Sequence, residues 1–414
     1  MKAKMKIPAS LCLRCRGGKM LCGLSYCPIS VKHLVQPSLG KVSGNKLEGS
    51  SPPSIFVGRY GYPKIKMYPT TPPIHGDTAP YEDPRGWLGV PIENFLSMRL
   101  SMIRGGIDVT VANAADPDRV FQEIQLMALS EKSVEVEMIL DGNISGKDVV
   151  LDEHTPPMGP SAPLKRLVVD YTSPGLHAEK VFSDTDLKAN GAMQYLYSSG
   201  EDVSRISKIL SVGAIGSKKS RKAVPTRWSI TAVDKNLSDY LVEKDKDYRQ
   251  IDTFMAFVRE TSGNLFMGIL TPSNWIYEWG ESWFPGSTWN QWGETAQVEI
   301  DSEGYYGRKE YPGIGGCYYS SRLAVSERLD SMRRSAGAIT WREIYPGWNL
   351  PVGVWYVREN MRKMFEQKPA EFDTLDEAMN YLSRFMKVPL EKWVEKSYVV
   401  PMQKYNNLER FFKL

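Results

Sequence analysis

Residues 116–140 read DPDRVFQEIQLMALSEKSVEVEMIL, and two hydrophobic periods stand back to back in this stretch. Asp116 followed by Pro117 has the chemistry of a helix N-cap with proline in the first turn. Phe121, Ile124 and Ala128 follow at the spacing that gathers apolar side chains on one helical face. From Val134 the period changes: Val134, Val136 and Met138 alternate with Glu135 and Glu137, the pattern of a half-buried strand. A helix feeding directly into a strand predicts an α+β (mixed α/β) globular core. The neighbouring sequence extends this reading. KRLVVDY (165–171) is a second strand candidate, and a helix is expected over 203–210. FDTLDEAMNYLSRFMK (372–387) places a capping box, Thr374 to Glu377, ahead of Leu375, Met379, Leu382, Phe385 and Met386 at helical spacing. Residues 55–92 are crowded with proline and aromatic side chains and predict ordered loops and short strands.

The chain has 414 residues, 42% of them hydrophobic, with 11 Trp, 21 Tyr and 13 Phe, enough apolar surface to exclude disorder as the main state. Thirty-four Gly and 27 Pro argue against a plain helical bundle, and the length allows two or three domains. No run approaches the ~18 apolar residues of a membrane span, and the N-terminus lacks the apolar segment of a signal peptide, so a cytoplasmic protein without membrane association is expected. Charge is distributed unevenly. Residues 1–50 hold nine Lys or Arg against one acid, Glu48, whereas the other 364 residues carry 43 bases against 47 acids. A polyanion-binding role therefore rests on the N-terminal segment and on local patches.

Four of the five cysteines, Cys12, Cys15, Cys22 and Cys27, lie within sixteen residues. Four thiolates so close together fit the closed tetrahedral shell of a structural Zn²⁺, with Zn–S bonds of ~2.3 Å. Disulfides and a redox CxxC are the alternatives; the first is disfavoured without a secretory signal, and the second normally sits between a strand and a helix. The expected organisation is a zinc-binding module (1–37), a linker or exposed loop rich in Gly, Ser, Lys and Pro (38–54), a main core (55–400) and a C-terminal tail (401–414). Cys317 reads as a small buried apolar residue.

Inside the core, GSKKSRKAVPTRWSITAVDK (216–235) begins as a basic loop within an acid-free run from Val203 to Val233. Its second half alternates and predicts a strand with Arg227, Ser229 and Thr231 on one face. Lys218, Lys219, Arg221, Lys222, Arg227, Ser229 and Thr231 are the candidate phosphate or nucleic-acid ligands: a forked charged donor with short neutral donors beside it. The alternative is a solvated basic loop leading into a core strand. In WIYEWGESWFPGSTWNQW (275–292), five Trp offer flat faces for bases, and Glu278 and Glu281 an acid/base pair, but the favoured reading is core packing for the Trp and a solvated helical face for the acids. Asp234, Glu278 and Glu281 are the catalytic candidates. Arg342, Glu343, Arg358 and Glu359 interrupt the apolar segment WREIYPGWNLPVGVWYVREN (341–360) and read as structural ion pairs. The four His show no metal spacing, and no P-loop, GxSxG or dinucleotide fingerprint is present.

The last ten residues, YNNLERFFKL, resemble the motif that binds the sliding clamp PCNA, with Leu408, Phe411 and Phe412 as the hydrophobic plug and Tyr405 where that motif usually has Gln. Together with the cysteine cluster and the strings VGRYGYP, DPRGW, SRKAVPTRWSITAVD and PVGVWYVREN, the whole chain resembles the archaeal Nre family of DNA repair proteins. That resemblance implies DNA-damage repair, a four-cysteine zinc site and clamp binding, with a location at the nucleoid; it implies no particular reaction. The expectation is a clamp-tethered repair factor that binds DNA. The alternatives are a nuclease or nucleotide-processing enzyme of repair, and a non-catalytic adaptor joining the clamp to other repair proteins.

Overall fold

A computed structural model describes residues 45–142, 149–150, 152, 154–170, 172–261, 263–287, 290, 294–346 and 351–404. They pack as two compact units divided between Leu237 and Ser238, rather than as the single core expected over 55–400. Cys12, Cys15, Cys22, Cys27, Tyr405, Leu408, Phe411 and Phe412 lie outside the described residues, as do Trp289 and Trp292. No described helix is long and apolar enough to cross a membrane.

The first unit contains β1 (Lys46–Ser51), β2 (Ser54–Val57), β3 (Lys64–Thr71), α1 (Ile92–Leu100), β4 (Ile103–Thr110), α2 (Arg119–Leu129), β5 (Val134–Leu140), β6 (Ser161–Val169), α3 (Leu176–Ser183), α4 (Ala189–Ser198), α5 (Val203–Ser211) and the start of α6 (Thr226–Asp245). Its strands form a sheet in the order β1-β5-β6-β4-β3-β2, antiparallel except where β4 meets β6. The alternation in β5 is realised: Val134, Val136 and Met138 are buried, as are Phe121, Ile124 and Ala128 of α2.

Two boundaries differ from expectation. The N-cap of α2 is Asp118, whose carboxylate accepts the Phe121 N–H, and Asp116 instead closes a 3₁₀ turn over Val111–Ala115. The stretch read as a linker contains β1 and begins β2. Within β1, Lys46 and Glu48 face out while Leu47 and Gly49 are buried against β5. Gly49 belongs to the sheet because a Cβ there would stand 2.1 Å from the carbonyl oxygen of Pro72.

The second unit contains β7 (Phe254–Thr261), β8 (Asn264–Thr271), β9 (Tyr277–Trp283), β10 (Gln297–Glu303), α7 (Cys317–Met332), β11 (Gly337–Ile344), α8 (Trp355–Phe365), β12 (Ala370–Phe372), α9 (Leu375–Ser383) and α10 (Leu390–Lys396). The sheet order is β10-β9-β11-β8-β7-β12, with only β9 and β11 parallel. One face, carrying Met267, Ile269, Ile339 and Trp341, packs on α9 and α10, and Trp341 stacks on Trp393 at 4.9 Å. Gly280 permits this packing, since a Cβ would meet both indole rings within 3 Å. The other face receives α8: Phe257 meets Phe365 at 5.0 Å. The capping box of α9 is present, with Thr374 and Glu377 each bonding the other's backbone N–H. Pro401–Lys404, assigned from sequence to the tail, continue the docked body: Gln403 donates to Ser273 Oγ at 2.8 Å.

Candidate nucleic-acid interface

The strand expected over 226–233 is the first part of a helix. α6 starts directly after Pro225, whose carbonyl accepts the N–H groups of Trp228 and Ser229. Its buried positions, Thr226, Ser229, Val233, Asp234, Leu237, Ser238, Leu241 and Val242, recur at three- and four-residue intervals. Arg227, Ser229 and Thr231 therefore do not share a face. Ser229 Oγ donates to the Thr226 carbonyl and Thr231 Oγ1 to that of Arg227, so both hydroxyls serve the helix itself. Arg227 is half-buried and pairs with Asp152 at 3.2 Å.

The basic loop ahead of α6 is held from inside by one of its own cations. Arg221 is buried; its guanidinium donates to the carbonyls of Gly216 (2.9 Å), Phe182 (2.7 Å) and Asp184 (2.9 Å) and lies over the Phe182 ring. Nε and Nη2 of Arg221 are committed to backbone carbonyls, so Arg221 braces the loop. The Lys218 N–H bonds the Thr185 carbonyl, which fixes the other end of the turn. Lys218, Lys219 and Lys222 are left exposed.

A hairpin that the sequence reading did not single out for binding completes this surface. Gly58–Lys64 joins β2 to β3 and turns at Gly61, whose φ of +81° favours glycine. Pro63 O accepts from Val111 N, and Val111 O accepts from Ala223 N, so hairpin, 3₁₀ turn and basic loop are contiguous. Thr226 Oγ1 accepts the Val57 N–H at 2.8 Å and ties the start of α6 to the same hairpin. Tyr62 and Trp228 meet with ring centroids 5.2 Å apart, and in the same turn Arg59 lies over the Tyr60 ring. Tyr60, Tyr62 and Trp228 are 83%, 49% and 43% exposed. Among the described residues Arg59, Lys64, Lys218, Lys219 and Lys222 form no ion pair, whereas Lys66 is bound to Asp108 and Arg227 to Asp152. The motif VGRYGYP carried the signal: two tyrosines between Arg and Lys in a tight turn.

The sequence profile described as Archaeal Nre, N-terminal, matches residues 21–290, and that described as Archaeal Nre, C-terminal, matches residues 303–411. The chain belongs to the archaeal Nre family. It is 45% identical over 403 residues to the DNA repair protein NreB of Archaeoglobus fulgidus, covering 97% of this chain and 99% of that protein. The DNA repair protein NreA of Haloferax volcanii is 37% identical over 365 residues, covering 86% of this chain and 87% of its own. No solved structure matches the chain. The N-terminal Nre segment extends beyond Leu237, so the family's two segments and the two packing units divide the chain at different places.

The acidic candidates of this Nre chain belong to different units, Asp234 to the first and Glu278 and Glu281 to the second. Asp234 is buried on α6. Glu278 and Glu281, three residues apart on β9 rather than on a helix, project from opposite faces of the sheet and so do not form an acid/base pair. Glu278 accepts from Trp341 Nε1 (2.9 Å), Ser397 Oγ (2.8 Å) and Val399 N (3.0 Å); burial pushes its carboxyl above the ordinary range against these bonds. Glu281 pairs with Arg342 at 3.1 Å, and the Arg342 guanidinium also donates to Asn264 and lies over Phe266 and Tyr356. Glu343 accepts the N–H groups of Lys387 and Val388, and Glu359 bridges Arg358 and Arg362. These cations are closed by protein partners, unlike Lys64, Lys218, Lys219 and Lys222 of the first unit. Trp275 and Trp279 are core residues. Among the described residues no group of three or more His, Cys, Asp or Glu is arranged to hold a metal ion.

Proposed function

We propose that this Nre chain is a DNA repair factor that binds DNA through the face built by the 58–64 hairpin, Lys218–Lys222 and the first turn of α6, and that its C-terminal motif tethers it to the sliding clamp. The observation that carries the DNA-binding part is the set of five exposed cations without ion-pair partners: Arg59, Lys64, Lys218, Lys219 and Lys222. Phosphate binding by such side chains releases counterions and supplies affinity largely independent of base sequence. The names of the relatives, DNA repair proteins NreA and NreB, point the same way. Cys12, Cys15, Cys22 and Cys27 supply the all-thiolate donor set of a structural zinc site. Metal analysis checks it: one zinc per chain, lost in a Cys12→Ser, Cys15→Ser double variant.

Replacing Lys218, Lys219 and Lys222 with Ala tests the interface. Affinity should fall for every DNA sequence, and the slope of log affinity against log salt should flatten by roughly 2 to 3, at about 0.7 to 0.9 for each phosphate that is no longer neutralised. An unchanged affinity and slope would reject the loop as a phosphate ligand. A wild-type chain that binds the clamp but no DNA would instead be an adaptor.

A further inference from the structure

We infer that Tyr62 and Trp228 form a stacking platform for unpaired bases, so that this face takes single-stranded DNA in preference to duplex. The inference rests on the DNA-binding reading above and deepens it. Its own observation is the exposure of three aromatic rings among unpaired cations. Tyr60 is 83% exposed, and Tyr62 and Trp228 remain close to half exposed although each covers the other at 5.2 Å.

The mounting of the pair is rigid. Trp228 projects from the first turn of a 20-residue helix whose start is fixed by Pro225 and by the Val57–Thr226 bond. Tyr62 sits in a turn between Gly61 and Pro63, and Pro63 is held by the Val111 N–H. With only two side-chain torsions per ring, little freedom is lost when a base stacks. Both segments set cations beside rings: Arg59 and Lys64 flank Tyr60 and Tyr62 in the hairpin, and Lys222 and Arg227 precede Trp228.

The cations decide the class of ligand. An apolar protein partner would leave Arg59, Lys64 and Lys222 desolvated without counter-charge, whereas a nucleic-acid strand offers a ring face and a phosphate at each nucleotide. Duplex bases are already stacked and paired, so a duplex can engage the lysines but not the rings.

The experiment uses the full chain, a fluorescent 15-nucleotide oligo-dT strand and a 15-base-pair duplex, with anisotropy titrations at two salt concentrations. Tyr62→Ala and Trp228→Ala are each expected to weaken single-strand binding by roughly 5- to 100-fold, with the salt slope and the duplex affinity unchanged. Tyr62→Phe and Trp228→Phe should stay within about threefold of wild type, because they keep a ring. Single-strand affinity that survives both Ala changes, or equal losses on strand and duplex, overturns the platform. Tyr62→Ala lies in an exposed turn and keeps the test valid if Trp228→Ala lowers the melting temperature. The two readings fail differently: a wild-type chain that binds neither probe removes the DNA interface, whereas sensitivity to the loop lysines with none to the rings removes only the stacking.

Discussion

Asp245 closes α6 with a carboxyl group that is 1% exposed, and neither oxygen has a hydrogen-bond partner among the described residues. Glu278, also buried and also shifted upward, differs in accepting hydrogen bonds from three donors. Burial pushes Asp245 up to about 8; the nearby Asp330 carboxylate adds to the shift, and Lys244, itself paired with Asp330 at 2.6 Å, opposes it. The end of a helix, where carbonyls point outward, also disfavours a negative charge. The sign of the consequence follows from proton linkage. Below pH ~4 the group is protonated in both folded and unfolded chains; between ~4 and ~8 the unfolded chain ionises and the folded one resists, so stability falls as pH rises through that window. Asp245→Asn keeps the neutral shape and should abolish this slope. Denaturant titrations at pH 5 and pH 8 should show the variant gaining on wild type by a few kcal/mol at the higher pH, at ~1.4 kcal/mol per pH unit. Equal pH dependence in the two proteins would mean that Asp245 ionises normally.

The elements legible in the sequence are those whose buried face is apolar. β5 alternates Val and Glu, α5 buries Val203, Ile206, Ile209 and Leu210, and α9 announces itself through Thr374 and Glu377. The start of α6 was hidden for a physical reason: its first buried positions are Thr226 and Ser229, and the apolar spacing of Val233, Leu237 and Leu241 begins only two turns into the helix. The run of Thr226, Ile230, Thr231 and Val233 meanwhile resembles the β-branched content of a strand. α7 hides in the same way, burying Ser320, Ser321, Arg322 and Ser326. The candidate interface was legible in part. Its lysines stood out as an acid-free run, but nothing local showed that Arg221 spends its guanidinium on the carbonyls of Phe182 and Asp184. Nor does any local period bring Tyr62 onto Trp228, since the two rings meet through the packing of a hairpin against a helix start far away in the chain.

On the scale of the whole chain, the proposed functions are carried on separate parts: basic and cysteine-rich residues at the N-terminus, the ring-and-lysine face in the first unit, and the clamp motif at the C-terminus. The second unit is packed up to the last described residue, Lys404. Val399 and Val400 are fully buried, Gln403 bonds Ser273, and Lys404 pairs with Asp376 at 2.8 Å. Removing residues 405–414 therefore takes away none of these interactions. Leu408, Phe411 and Phe412, buried in a partner's pocket at ~1.5 to 3 kcal/mol each, would supply most of the roughly 8 kcal/mol that micromolar binding requires. The truncation should leave the melting temperature within about 2 °C of wild type, as expected for a change under ~0.5 kcal/mol, and should abolish clamp binding measured by calorimetry. Cutting instead before Pro401 removes Gln403 and Lys404 and should lower the melting temperature, which separates loss of the motif from loss of the body. A chain lacking 405–414 that still binds the clamp with full affinity would refute the motif, and Tyr405 in the position usually held by Gln would be the first reason to look elsewhere.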